Sequence, residues 1–374
     1  MQNDFHRVAI VNRGEPAMRF IHAVREYNSE HRTDIRVIAL FTEPDRHARF
    51  VREADEAVDL GPSTFVDPRD GLRRPKYLDG GAVERALGDA QADAVWTGWG
   101  FLAERPEFAE RCERLGLTVI GPDGPSMRRL GDKICAKRLA EQVGVPVVPW
   151  GGGPADTVDA ALDHAQRLGY PVGLKPSGGA GGRSIRRLAA PAELERAFAP
   201  VRRDAARNFL DRTLFIERWM PGMRHIEVQI QADRHGTIWA LGTRDCSLQR
   251  RFQKLAAEAP AVGLTPEVET ALLDAAVRIV AAARYRDQAS VEFLVDLAGR
   301  FYFLEANTRL QVEHVVTELT SGIDLVKLEI DVARGGRLAP APPAGSGHAV
   351  EVRLNAEDPY SGFAASPGVV TQFR

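Results

Sequence analysis

The first third of the chain alternates short apolar runs with stretches of helical spacing. Val8-Ala9-Ile10-Val11 is a buried-strand pattern that breaks at Asn12-Arg13-Gly14-Glu15-Pro16. Met18, Ile21, His22 and Arg25 then recur as on a helix, and Ile35 to Phe41 is a second apolar run. Further strand candidates follow at Ala57 to Leu60, Ala94 to Thr97 and Leu117 to Ile120, with helical stretches between them. The order predicts an α/β fold whose N-terminal domain, residues 1–120, is a doubly wound parallel sheet. The first turn lacks the second and third glycines that a dinucleotide fingerprint needs to approach a pyrophosphate, which disfavours a nicotinamide site. Glu43, at the end of the second strand, reads as a solvated strand end and not as a ribose ligand.

Ser126 to Val143 predicts one helix, leading to a strand at Val145-Pro146-Val147-Val148-Pro149 and the loop Gly151-Gly152-Gly153, where a boundary is placed. Residues 155–219 alternate helix and strand as a small subdomain would, and Ile226 to Phe303 predicts longer antiparallel strands. Leu338 to Gly347 has loop chemistry. The last residues run into a strand pattern, so the chain is expected to be a piece of a longer one.

Two strand patterns, Ser290 to Asp296 and Phe301 to Asn307, flank Leu297-Ala298-Gly299-Arg300 and predict a hairpin. If Asp296 pairs with Phe301, Glu292 faces Glu305, and Asn307 lies on the same side. Paired carboxylates repel, and a hard divalent cation with oxygen ligands would turn that cost into binding. A solvated sheet face with Arg or Lys neighbours is the alternative. A second feature is a strand ending at Lys175, followed by Pro176-Ser177-Gly178-Gly179-Ala180-Gly181-Gly182-Arg183. Such glycines let successive amides turn towards phosphate oxygens, although the order is not Walker A; a flexible hairpin tip is the plainer reading. Third, Asn307-Thr308-Arg309-Leu310-Gln311-Val312-Glu313-His314 concentrates polar chemistry, either as a charged helix surface or as part of a site. It is joined by Arg244 to Lys254 and by Glu258-Ala259-Pro260.

Composition narrows the function. Lys and Arg number 49 against 51 Asp and Glu, a net charge of −2, so no basic excess is present for nucleic acid. No apolar run approaches the ~20 residues that span a bilayer. The three cysteines, Cys112, Cys135 and Cys246, are too scattered for a zinc knuckle or a disulfide framework, and a reducing cytoplasm is expected.

Together the hairpin, the glycine loop, Arg-Asp-Cys-Ser-Leu-Gln-Arg-Arg at 244–251, Asn-Thr-Arg-Leu-Gln-Val-Glu-His at 307–314 and Glu351-Val-Arg353-Leu-Asn-Ala-Glu-Asp-Pro359 resemble biotin carboxylases of the ATP-grasp superfamily, in order and over nearly the whole chain. The resemblance implies a parallel-sheet domain at 1–120, an ATP-grasp domain at 121–335 with a mobile lid at about 150–219, and the start of a C-terminal carboxylase domain at 345–374. It implies ATP, magnesium (or manganese), bicarbonate and carrier-borne biotin as reactants, carboxyphosphate as intermediate and acyl-CoA carboxylase chemistry. Partners would be a biotin carboxyl carrier and a carboxyltransferase, in an oligomer. By the same resemblance, ATP is held by Lys133, Lys175, Gly178, Gly179, Gly181, Gly182, Glu217, Met220, His225 and Gln249, and the metal by Glu292, Glu305 and Asn307. Bicarbonate is held by Arg309, Gln311 and Val312, with Glu313 as base, Lys254 as a further cation and Arg353 at the biotin enolate.

Phe252 stands where the family usually has histidine, so a hydrogen bond worth about 1 kcal/mol is lost towards the nucleotide. Thr97-Gly98-Trp99-Gly100-Phe101-Leu102 in place of His-Pro-Gly-Tyr-Gly is more like large single-chain acyl-CoA carboxylases. None of Met1, Met18, Met127, Met220 and Met223 precedes a lysine, so biotin is expected from another domain or protein chain. An ATP-grasp ligase for another acceptor, or a non-catalytic scaffold domain, are the competing readings.

Overall fold

The computed structural model describes residues 4–178, 184–209, 211–369 and 371–372. Five short strands, β1 (Arg7–Ile10), β2 (Arg36–Phe41), β3 (Glu56–Asp59), β6 (Ala94–Trp96) and β7 (Thr118–Ile120), form a parallel sheet in the order β3-β2-β1-β6-β7. Between them a small antiparallel hairpin, β4 (Thr64–Val66) and β5 (Arg73–Pro75), stands apart. β1 is central, so both of its faces must be apolar. Val8 and Ile10 pack with Phe20 and Val24 of the helix Gly14–His31, while Ala9 packs on the other side with Val83, Leu87 and Phe108.

The long helix expected over 126–143 is two helices, Gly124–Gly131 and Lys133–Gln142. Asp132 between them is extended (ψ 120°) and caps the second, accepting from the Cys135 amide at 2.8 Å. Its other oxygen accepts from Ser177 Oγ at 2.5 Å, which ties the break to the start of the glycine-rich loop. The strand expected at 145–149 is not formed. Pro146 and Pro149 have no N–H to give, and the segment makes isolated bridges only, from Val147 to Phe303 and from Trp150 to Glu217.

The small subdomain is a three-stranded sheet, β10 (Leu214–Arg218), β8 (Val172–Pro176) and β9 (Arg186–Leu188), in the order β10-β8-β9. The helices Val158–Leu168 and Pro191–Phe209 cover it. The largest sheet is antiparallel, in the order β17-β16-β11-β12-β15-β18: β11 (Arg224–Ala232), β12 (Ile238–Asp245), β15 (Ala256–Ala259), β16 (Asp287–Val295), β17 (Phe301–Asn307) and β18 (Ala349–Val352). Ile226, Val228 and Ile230 of β11 face the core with Ala276 and Ile279 of the helix Pro266–Ala282. A two-stranded ribbon, β13 (Gln249–Arg250) and β14 (Gln253–Lys254), projects after β12.

The expected β16–β17 pairing is reached by a different route. Val295, not Asp296, pairs with Phe301, and the turn has five residues, closed by the Asp296 carboxylate accepting from the Ala298 and Arg300 amides. Unbroken, that register would set Leu304 opposite Glu292. A bulge at this point restores Glu292 opposite Glu305 and Ser290 opposite Asn307.

Candidate active site

A cavity of about 2030 Å³ lies where the three sheets meet, and its wall includes Lys133, Lys175, Gly178, Glu217, Met220, His225, Gln249, Lys254, Glu292, Glu305, Asn307, Arg309, Gln311, Val312, Glu313 and Arg353. Gly179, Gly181 and Gly182 lie outside the described residues.

At one end, strand β10 brings Glu217 between two lysines. Lys175 Nζ lies 2.5 Å from one carboxylate oxygen and Lys137 Nζ 2.6 Å from the other. Burial opposes the charge of Lys175, but the carboxylates of Glu217, Glu305 and Glu292 outweigh it and hold its pKa above the ordinary value. Lys137 is pulled below its usual value by complete burial. Lys133, at the start of its helix, approaches Glu305 at 3.4 Å.

The centre is a cross-braced charge cluster. Lys254 Nζ donates to Glu292 at 3.0 Å, to Glu313 at 2.7 Å and to Glu227. His225 Nε2 lies 2.9 Å from Glu292, and its Nδ1 meets Gln249 Nε2 at 3.1 Å. Burial disfavours the imidazolium, yet Glu292 and Glu227 raise its pKa to about 9. Asn307 Nδ2 donates to Glu292 at 2.6 Å, and Gln311 Nε2 does so at 3.2 Å.

Segment 308–313 is a loop, not a charged helix surface; the helix starts at His314. Arg309 Nε pairs with Glu104 at 3.1 Å, so one face of the guanidinium is fixed from the parallel-sheet domain. Glu313 is held by Lys254 and by Arg353 Nη2. Burial alone would raise its carboxyl; Lys254, Arg244 and Arg353 outweigh that and keep it below the ordinary range, ionised at neutral pH.

Sequence reasoning missed Glu227, Lys137 and Glu104. Glu227 shares its side of β11 with Gln229 and Gln231, all fully buried, and period-two polarity of this kind reads as a solvated face. Here that face is covered by Arg244, which donates to Gln229 at 2.6 Å, Ser290 at 2.6 Å, Thr317 at 3.0 Å and Glu227 at 3.0 Å. The length of β11, with every second residue polar and none of them Lys, was the available signal.

A strand-borne pair of carboxylates, a loop-borne arginine and carboxylate, and the lysines Lys133 and Lys175 thus line one cavity. Comparison with known proteins decides the family. Residues 4–127 match the biotin carboxylase N-terminal domain, and residues 132–341 match the carbamoyl-phosphate synthase L chain ATP-binding domain. A pyruvate carboxylase subunit of Methanothermobacter thermautotrophicus is 41% identical over 372 residues, 99% of this chain and 73% of that protein. The chain belongs to the biotin carboxylase family.

The mitochondrial methylcrotonoyl-CoA carboxylase alpha subunit of Arabidopsis thaliana is 38% identical over 98% of this chain, which spans 49% of that relative. Among solved structures, a Campylobacter jejuni biotin carboxylase in complex with β,γ-ATP superposes with a TM-score of 0.89 at 36% identity, covering 99% of this chain and 80% of that one. The biotin carboxylase domain of Hydrogenobacter thermophilus 2-oxoglutarate carboxylase, solved with MgADP, ADP and bicarbonate, gives 0.88 at 38% identity over 96% and 77%. The family is one of ATP-grasp ligases whose reaction is ATP-dependent carboxylation of biotin. The readings as a ligase for another acceptor or as a scaffold are not favoured. No helix among the described residues is long and apolar enough to cross a membrane.

Proposed function

We propose that this chain carboxylates carrier-borne biotin with ATP and bicarbonate, as the first half-reaction of a biotin-dependent carboxylase. The observation that carries this is Glu313: a buried, ionised carboxylate held between Lys254 and Arg353, in the same cavity as Lys133 and Lys175.

Lys133 and Lys175 draw the ATP phosphates in; Gly178 lines the cavity beside them, and Met220, His225 and Gln249 line the nucleotide end with Glu217. Glu292, Glu305 and the Asn307 carboxamide are hard oxygen donors in strand register, which fits magnesium or manganese, and these three would hold the ion. When bound, it supplies positive charge where phosphate oxygens crowd.

Arg309, paired with Glu104, offers the guanidinium N–H groups not donated to the Leu310 carbonyl and Asn307 Oδ1 to the bicarbonate anion beside Gln311 and Val312. Glu313 accepts the bicarbonate proton, so that a bicarbonate oxygen attacks the γ-phosphorus, the bond to ADP breaks and carboxyphosphate forms. Carboxyphosphate hydrolyses readily, so water must be kept out of the cavity. Release of CO2 leaves a phosphate that takes the proton of the biotin N1. Arg353 stabilises the enolate oxygen of the ureido group, and N1 then attacks CO2.

The partners are a biotin carboxyl carrier and a carboxyltransferase serving an acyl-CoA, within an oligomer. Three free cysteines suit a reducing cytoplasm. Replacing Glu313 by Gln tests the assignment: bicarbonate-dependent ADP formation should fall at least a hundredfold with ATP affinity retained. An unchanged rate would remove Glu313 as the base.

A further inference from the structure

Next to the active-site cavity, with which it shares Leu72 and Arg207, a groove of about 720 Å³ separates the helix Pro191–Phe209 from the β4–β5 turn. Its exposed lining carries Arg202, Arg203, Arg207 and Arg212, and its floor is Leu72, Phe198 and Ala206. The one carboxylate in the lining, Asp70, is already clamped at both oxygens by Arg74, at 2.7 Å each. Arg202 donates to the Asp156 carbonyl at 3.2 Å. Among the described residues no carboxylate comes within 4.0 Å of the guanidinium groups of Arg203, Arg207 or Arg212. Asp204, on the same helix, pairs with Arg186 at 4.0 Å.

Arg203 and Arg207 are four residues apart on one helix, a like-charge spacing that destabilises the helix unless an anion relieves it. A rim of guanidinium forks over an apolar floor, in a cavity of small-ligand size, is complementary to an amphipathic phosphate ester. We propose that this groove binds a phosphorylated small molecule whose apolar ring or chain lies on Phe198 and Leu72 while its phosphate engages Arg203, Arg207 and Arg212. The site joins two domains, since Arg74 Nη2 of β5 donates to the Arg207 carbonyl at 3.3 Å across the groove. A bound ester would therefore fix the small subdomain against the parallel-sheet domain.

Calorimetric titration of the whole chain with 1-naphthyl phosphate, and separately with inorganic phosphate, tests this. The naphthyl ester should bind at least tenfold more tightly than inorganic phosphate. Its affinity should fall at least tenfold in Arg203→Glu/Arg207→Glu and in the milder Arg203→Ala/Arg207→Ala, and stay unchanged in Lys175→Ala. Equal affinity for the two probes, or no binding, would overturn the amphipathic ligand. Loss on Lys175→Ala, or none on changing the arginines, would place the probe in the nucleotide cavity and overturn the site.

Discussion

Lys254 is the residue on which the charge balance of the site turns. It touches three buried carboxylates, Glu227, Glu292 and Glu313, and its own pKa is held far above the ordinary lysine value: burial opposes the charge, and these carboxylates overcome it. Lys254→Met would leave those acids with only His225, Arg244 and Arg353 to balance them in a buried place. Removing one partner of a buried ion pair costs about 3–5 kcal/mol, and turnover should fall at least a hundredfold with it. Chemical denaturation and carboxylation rates read the two effects; a variant as stable and as active as the parent would show that the carboxylates are neutralised otherwise. At this scale the sequence was legible where periodicity speaks. Glu292, Glu305 and Asn307 share a face because strand residues alternate. Arg353 and Glu313 meet across forty positions of sequence that no local pattern connects, and only likeness to a family linked them.

At the scale of elements, two hairpins carry the site, and each shows what turn chemistry adds to a hydrophobic pattern. In β16–β17 the Asp296 carboxylate builds a longer turn than expected, and the bulge compensates, so the facing residues were right for an incomplete reason. In the β13–β14 ribbon the two tip residues, Arg251 and Phe252, both have positive φ, 52° and 64°. That is the geometry of a two-residue turn favouring Asn-Gly, and nothing in Arg-Phe announces it. The tip places Phe252 edge-on to Trp219, with ring centroids 5.8 Å apart, on the cavity wall. Phe252→His would retain an aromatic ring, tolerate the positive φ better and add a donor. A gain of about 1 kcal/mol should lower the KM for ATP roughly fivefold. An unchanged KM in steady-state kinetics would mean that this position does not reach the nucleotide. The polar side of β11 gives the complementary lesson: alternation fixes which residues share a face, but solvent or a buried arginine can cover that face equally well.

Across the whole molecule, the parallel-sheet domain meets the helix Leu325–Ala333 and the large sheet through buried carboxyl groups. Trp96 Nε1 at the end of β6 donates to Glu329 at 2.9 Å, and burial and Asp287 push the Glu329 carboxyl well up. Asp287, at φ 77° and fully buried, is raised to about 7 by burial, against the opposing pull of the Gln288 and Gly121 amides, Gln231 and the charge of Arg234. Its folded pKa exceeds its unfolded value, so its contribution to stability is complete below about pH 4 and is lost as pH rises through 7. Asp287→Asn removes that loss and suits the positive φ. Its midpoint of denaturation should exceed the parent's at pH 8 by more than at pH 5; a difference independent of pH would mean that Asp287 is already ionised in the fold.

The central claim is that bicarbonate itself attacks ATP in this cavity. The most direct measurement is the mass of the inorganic phosphate released when the protein turns over ATP, magnesium and biotinylated carrier with 18O-labelled bicarbonate in unlabelled water. Attack by bicarbonate leaves one of its oxygens on phosphorus when carboxyphosphate breaks down, so phosphate should carry one labelled oxygen per turnover. Phosphate with only unlabelled oxygen would mean that water cleaves ATP here, and would contradict the account.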